Sequence, residues 1–213
     1  MDIGLKVQDI VLLGLFNPAK FDRYTFIKNK ILKEEEIEQS SIFLPEIVNL
    51  QSKKFNLVIN SNQIIISTNP ENNADISKFL LKFLSLFDEI NLNASGFNFR
   101  YFVEPKIDNS EIESFIKKNF FNPNNKIQSQ FFSDDNSTYG FYSSKDFKDT
   151  RLKLDVKPVN LNVQNLNLKS VQFEFNFHKD YDLKSNSFEK LKELLNCYVA
   201  YKNECKNIVN SLL

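Results

Sequence analysis

The sequence predicts an α+β fold in which mostly antiparallel sheet packs against long amphipathic helices. Two segments, 73–90 and the stretch after Asn186, carry apolar residues at helical spacing along one stripe. Several shorter segments alternate apolar and polar side chains, as half-buried strands do. The 22 Phe supply large apolar side chains for a core between these two layers.

The first half of the chain alternates between predicted strands and predicted helices. The predicted strands are 3–16, as one strand or a bent pair, then 55–59 and 64–67 within a small meander over 44–68, and 97–103. The predicted helices are 17–33, 73–90 and 110–120. The first of these helices is expected because Asn17 can cap it and Pro18 suits its first position. The third begins with a capping box at Ser110, and the turn at 60–62 predicts a hairpin.

The second half is predicted to repeat the same order, strands and then a long helix. Its predicted strands are 127–132, 139–143, 151–156, 161–163 and 171–178, and its polar connection 133–150 is expected to be a mobile loop or a marginal hairpin. One closing helix is expected from about Asn186 onward. The Asn-Pro-Asn-Asn run at 122–125 marks the boundary between similar sub-halves, 1–122 and 123–213, of a single globular unit, 1–213.

Charge and residue usage exclude several classes of function. Lys plus Arg and Asp plus Glu are equal at 27 each, and only three of the cations are Arg. A neutral chain has no long-range attraction to nucleic acid or anionic lipid, so nucleic-acid and membrane partners are not expected. The four Gly are scattered, so no phosphate-cradling loop can be written with them.

The two cysteines, Cys197 and Cys205, indicate a reducing compartment rather than a disulfide-bonded one. The N-terminal stretch lacks a basic region and a cleavage site, so it is expected to be a strand and not a signal peptide. No apolar run approaches the length that crosses a bilayer. Together these observations predict a cytoplasmic protein.

A carboxylate-held metal ion is the one form of catalysis that the sequence leaves open. Asp155 and Lys157 form an acid-x-Lys pattern on a strand, with Asp134 and Asp135 about 20 residues upstream. Glu174 could join them from a neighbouring polar face. This arrangement is an alternative hypothesis, a Mg²⁺-dependent nuclease or phosphodiesterase in which Asp134, Asp155 and Glu174 hold the ion and Lys157 steadies charge. The main expectation is that the chain has no catalytic residues, no cofactor and no bound metal.

Aromatic residues near Arg100 support a second alternative, a nucleic-acid binder that stacks bases on an open sheet. The candidates are Phe97, Phe99, Phe102 and the Phe residues of 173–177. Alternating Phe on a strand more often belongs to a core, and the neutral net charge also counts against this reading. The sole histidine, His178, stands at the end of a predicted strand with no GxSxG motif in the chain.

The order of elements resembles a sporadically distributed family of uncharacterised bacterial proteins. The stretches that carry the resemblance are VNLQSKKFNLVINSNQIIIS, DISKFLLKFLSLFDEI, GFNFRYF with its Arg100-Tyr101 pair, and VQFEFNF with the terminal helix. The resemblance supports the α+β fold, and such proteins look like accessory or partner-binding components of bacterial systems.

The function expected first is therefore non-enzymatic protein–protein interaction. The chain would self-associate or serve as an accessory subunit of a bacterial complex, of a defence or toxin–immunity kind. The absence of catalytic motifs and the abundance of apolar aromatics, which are enriched in interface cores, motivate this expectation.

Overall fold

Nine strands occur along the chain in a computed structural model, which describes residues 2–69, 74–87, 90–104, 109–163, 166–182 and 186–212. The strands are β1 (Ile3–Gly14), β2 (Ile42–Phe43), β3 (Val48–Gln51), β4 (Phe55–Ile59), β5 (Gln63–Thr68), β6 (Leu92–Val103), β7 (Phe141–Phe147), β8 (Thr150–Val163) and β9 (Leu166–Asp180). They form a single sheet in the order β2-β3-β4-β5-β1-β6-β9-β8-β7, with every neighbouring pair antiparallel. The antiparallel α+β prediction is confirmed.

Six α-helices accompany the sheet in the described part of the chain. They are α1 (Arg23–Lys28), α2 (Ile76–Leu84), α3 (Asn109–Phe120), α4 (Lys126–Phe131), α5 (Ser187–Asn196) and α6 (Tyr198–Asn210). The longest has 13 residues, so the predicted long helices are not confirmed. None of them is long and apolar enough to span a membrane.

The core lies between one face of the sheet and these helices. From 97 to 103 in β6 and from 171 to 177 in β9, every second residue is buried, and the buried set includes Phe97, Phe99, Phe173, Phe175 and Phe177. Helix α6 places Tyr201 against this row, with its ring centroid 4.8 Å from that of Phe177 and 5.4 Å from that of Phe97. Such ring pairs add to the stability that comes from apolar burial. The opposite face, here called the open face, carries the alternate and mostly polar side chains.

Helix 17–33 is wrong as predicted, because the chain turns twice within it. A short 3-10 turn covers Pro18–Lys20, and Asp22 then caps α1 by accepting a hydrogen bond from the Thr25 amide at 2.7 Å. The helix ends at Lys28, and Lys30 has a positive φ of 55°. An Asp inside the predicted helix was therefore the start of a new one.

Residues 127–132 and 133–150 are also corrected. The first segment is α4 rather than a strand, because the Asn125 side chain accepts hydrogen bonds from the amides of Ile127 and Gln128 and so caps a helix. The second segment, expected to be a mobile loop or a marginal hairpin, contains β7, a full strand that pairs with β8. The predicted strand 139–143 overlaps the first three residues of β7. The predicted strands 151–156 and 161–163 are parts of β8, which continues through Pro158.

The closing helix is two helices, because Cys197 leaves helical geometry with φ −91° and ψ 3° between α5 and α6. The helix predicted over 73–90 is α2, which ends at Leu84; residues 73, 88 and 89 lie outside the described part. Strand β6 pairs with β9, so one sheet continues across the predicted boundary at 122–125. The two similar sub-halves, 1–122 and 123–213, are not confirmed.

Candidate functional site

The open face is where most of the sequence-predicted site residues lie. Cross-strand pairing on β6, β9 and β8 aligns polar side chains into neighbouring rows. One row contains Asn98, Asn176 and Lys153, and the next contains Arg100, Glu174 and Asp155. Directly opposite side chains on one face of an antiparallel pair lie close enough to interact. The face is therefore a set of paired polar groups rather than isolated ones.

Asp155, Lys157 and Glu174 are brought together on this face. The Lys157 Nζ lies 2.9 Å from Asp155 Oδ2 and 3.4 Å from Glu174 Oε2. The hydrogen bond from Lys157 to Asp155 raises the pKa of Lys157, so the ammonium is charged at neutral pH. Gln172 Nε2 also donates to Glu174 Oε2 at 2.9 Å. The lysine thus already neutralises the carboxylates that the metal hypothesis needs as ligands.

Arg100 extends the same network toward the centre of the sheet. Its Nη2 atom lies 3.4 Å from Asp9 Oδ2, and its Nε atom lies 3.4 Å from Glu174 Oε1. Burial raises the pKa of Asp9, against the opposing effects of the Asn98 hydrogen bond and the Arg100 charge. Asp9 is nearly inaccessible to solvent although it faces the open side. Arg100 is therefore held by two carboxylates of its own chain.

Asp134 and Asp135 lie elsewhere, beside a cavity of about 500 Å³ between α3 and the segment 134–139. Lys169 of β9 lines the same cavity, and it shares the side of β9 that buries Val171. Asp134 and Asp135 thus lie on the helix side of the sheet, away from Asp155 and Glu174 on the open face. In the ranges that the structure describes, no group of three or more His, Cys, Asp or Glu side chains is placed to hold a metal ion.

The aromatic residues proposed for base stacking lie mostly in the core. Phe97 and Phe99 are buried beneath the helices, as are Phe173, Phe175 and Phe177. Phe102 differs, because it lies on the open face and is half-buried. These buried rings cannot stack on an external base without leaving the core.

His178 and Cys205 do not form a nucleophilic pair. The Nε2 atom of His178 lies 2.9 Å from Asp180 Oδ1 at the end of β9. Cys205 is fully buried, and burial raises the pKa of its thiol well above the usual range, so it stays protonated and unreactive. The other cysteine, Cys197, is half-buried at the break between α5 and α6.

A group of exposed apolar side chains next to β7 was missed by the sequence reasoning. Helix α4 has no buried residue, and Ile127, Phe131 and Phe132 are 63%, 72% and 51% exposed. We call these three residues the α4 patch. Tyr139 connects them to β7. Its hydroxyl donates to the Phe132 carbonyl, and Tyr139 itself stands two residues before Phe141, the first residue of β7. The i, i+4 spacing of Ile127 and Phe131 after a capping Asn was the available signal.

Strand β7 itself forms one edge of the sheet. Six of its seven residues are exposed, and Tyr142 is 63% exposed. In the described part of the chain its pairing partner is β8 alone. An exposed strand edge presents unpaired main-chain N–H and C=O groups that another strand can bind.

Comparison with known proteins adds no relative to this description. No protein-family model matches the sequence, and no curated protein matches it either.

Proposed function

We propose that this chain is a non-enzymatic protein-binding subunit of a larger complex, and that it binds through the side of the molecule formed by the α4 patch and β7. The observation that carries the proposal is the exposure of the three apolar side chains on and after α4. Monomeric proteins rarely expose clustered large apolar side chains without using them. Aromatic residues are also enriched at the centres of protein interfaces.

The helix that presents the patch supports this reading. Helix α4 has six residues, and an isolated helix of that length is marginal in water. It is fixed instead by polar contacts at its start, where Asn125 caps it and Gln128 accepts a hydrogen bond from the Asn122 amide at 2.7 Å. Ile127 and Phe131 add nothing to the core, so their exposure is better explained by a partner than by folding.

The two alternative functions receive less support from the contacts on the open face. The metal hypothesis needs free carboxylates, whereas Asp155 and Glu174 are both occupied by Lys157. The nucleic-acid hypothesis needs free cations, whereas Arg100 lies between Asp9 and Glu174. Positively charged groups that are already paired attract phosphate weakly.

The test is affinity capture from an extract of the native host, followed by mass spectrometry. Phe131→Ser removes the most exposed side chain of the α4 patch, and it leaves the fold intact because no α4 residue is buried. Leu15→Ser is the matched control, because Leu15 is 84% exposed at the end of β1. We expect the Leu15 variant to recover the same partner as the wild type and the Phe131 variant to lose it. Equal recovery of the partner by both variants would show that the α4 patch does not bind it.

A further inference from the structure

The sequence of β7 indicates which strand pairs with its exposed edge. We propose that two copies of this chain pair β7 with β7 in antiparallel orientation about a two-fold axis through Ser144, so that two sheets become one. This inference rests on the proposed function, because it assigns a partner to the same side of the molecule.

The main chain of β7 presents the correct groups for this pairing. The turn between β7 and β8 has two residues, Lys148 and Asp149, so Phe147 and Thr150 close the hairpin as a hydrogen-bonded pair. Hydrogen-bonded pairs alternate along an antiparallel ladder. The main-chain groups of Tyr142, Ser144 and Asp146 therefore point away from β8.

With Ser144 on the axis, each outward-facing residue meets another outward-facing residue. Ser144 lies opposite Ser144 of the second copy, and Tyr142 lies opposite Asp146. Each of these pairs exchanges both of its N–H···O=C hydrogen bonds. The pairing uses the whole length of β7, residues 141–147.

The side chains are complementary in the same register. On the open face, the Tyr142 hydroxyl can donate to the Asp146 carboxylate of the second copy. On the helix side, Phe141 lies opposite Phe147, and Lys145 lies opposite Ser143. Aromatic pairs stabilise directly opposed positions, and no like charges face each other here.

The neighbouring registers are worse. A two-fold axis through Lys145 would limit the pairing to residues 143–147 and would leave Phe141 and Tyr142 opposite the turn of the second copy. An axis through Ser143 would limit the pairing to residues 141–145 and would leave Asp146 and Phe147 without partners. The length of β7 therefore selects the register centred on Ser144.

The charges that would normally protect such an edge are already engaged within the chain. Lysine and other charged side chains commonly keep sheet edges apart. Here Lys145 Nζ lies 2.6 Å from Glu204 Oε1 on α6. Asp146 Oδ1 lies 2.9 Å from Arg151 Nη1. Both charges of β7 are paired intramolecularly, so neither is free to repel a second copy.

Disulfide trapping tests the register directly. Ser144→Cys places the new thiols at a hydrogen-bonded antiparallel pair, where Cα atoms about 5.5 Å apart can be bridged. Lys153→Cys is the matched control, because Lys153 is exposed beside Ser144 on the same face of β8. Three strand spacings would separate its two copies by roughly 14 Å, too far for a bridge. Both variants carry Cys197→Ala, and Cys205 is fully buried.

We expect the Ser144→Cys protein to form a disulfide-linked dimer at least tenfold faster than the Lys153→Cys protein. We also expect the sedimentation coefficient of the wild type to rise between about 1 µM and about 1 mM, the range of weak to moderate affinities. Equal trapping rates, or a wild type that stays monomeric throughout, would overturn the inference. If capture by the wild type still depends on Phe131 in that case, the second copy is rejected and the proposed function stands.

Discussion

The two edges of the sheet differ in whether the outward-facing main-chain groups of their strands have hydrogen-bond partners. At one edge, β2 has two residues, and the remaining edge of β3 is covered by side chains and a loop. The Ser41 Oγ atom donates to the Gln51 carbonyl at 3.2 Å and accepts from the Gln51 amide at 3.0 Å. The Glu38 amide donates to the same carbonyl at 2.9 Å. At the other edge, β7 presents seven residues with no such cover among the described contacts.

This difference shows that edge protection is local chemistry rather than a property of the fold. A very short strand followed by hydroxyl and loop contacts is one way to close an edge. Pro45 follows β2 closely and cannot donate a main-chain hydrogen bond. Strand β7 has neither device, so it is the edge at which pairing with another chain is expected.

Each edge is anchored to the core by one half-buried phenylalanine. At the β2 edge, the Phe43 ring centroid lies 6.3 Å from that of Phe26. At the β7 edge, the Phe147 centroid lies 5.6 Å from that of Phe177 and 5.8 Å from that of Tyr201. The open edge is thus the one with more aromatic contacts beneath it.

The largest expected effect follows from these anchors. We expect Phe147→Ala to lower the free energy of unfolding by about 2–3 kcal/mol, and Phe43→Ala by about 1–2 kcal/mol, less than a fully buried Phe because both rings are partly exposed. Urea denaturation of the two variants against the wild type measures the difference. A larger loss for Phe43→Ala would reverse the comparison between the edges.

The second effect concerns the tyrosine beneath β7. The Tyr201 hydroxyl is buried and makes no hydrogen bond of good geometry in the described part of the chain. Burial raises the pKa of Tyr201 to about 12, and the nearby Thr150 side chain opposes that rise only weakly. An unsatisfied buried hydroxyl costs about 1 kcal/mol or more. We therefore expect Tyr201→Phe to raise the free energy of unfolding by about 1 kcal/mol.

The matched control for that variant is Tyr198→Phe. The Tyr198 hydroxyl donates to Gln8 Oε1 at 3.4 Å, so removing it leaves a buried acceptor without that donor. We expect this second change to be neutral or destabilising in the same urea experiment. Loss of stability in Tyr201→Phe would mean that its hydroxyl has a partner.

Sequence periodicity predicted the elements that have one buried and one open face. Strand β9 alternates from Val171 to His178 because helices cover one side and the polar network covers the other. The same alternation placed Asp155, Lys157 and Glu174 on polar faces, and the structure brings these three together. Regular alternation therefore predicted both the core and the contact among Asp155, Lys157 and Glu174 on the open face.

The same reasoning failed where neither face is buried. Strand β7 carries Phe, Tyr, Ser, Lys and Asp with exposure on both sides, so it has no sustained period-two signal, and the predicted strand 139–143 covers only its first three residues. Helix α4 is too short for a stripe, and its Ile127 and Phe131 suggested a strand. Asp134 was grouped with Asp155 because sequence distance does not say on which side of a sheet a loop lies. The misses at β7 and α4 share one cause, the absence of a buried face.

The smallest expected effect compares the two arginines that lie near opposite edges. Near β2, Arg23 Nη2 donates to the main-chain carbonyl of Glu38 at 3.0 Å. Near β7, Arg151 donates instead to side chains, Ser144 Oγ at 2.6 Å and Asp146 Oδ1 at 2.9 Å. Loss of the first contact frees a carbonyl in the loop that completes β3, whereas loss of the second frees exposed side chains that water can bind.

We therefore expect Arg23→Met to cost about 1 kcal/mol of unfolding free energy and Arg151→Met to cost at most about 0.5 kcal/mol, as an exposed ion pair does. Methionine keeps most of the apolar stem in each case, so the comparison isolates the guanidinium contacts. Urea denaturation at low and high salt separates the two, because only the Arg151 effect should shrink with salt. Equal costs at both ionic strengths would mean that the β7 edge is held as firmly as the β2 edge. In that case, the two edges would differ only in the unpaired main-chain groups of β7.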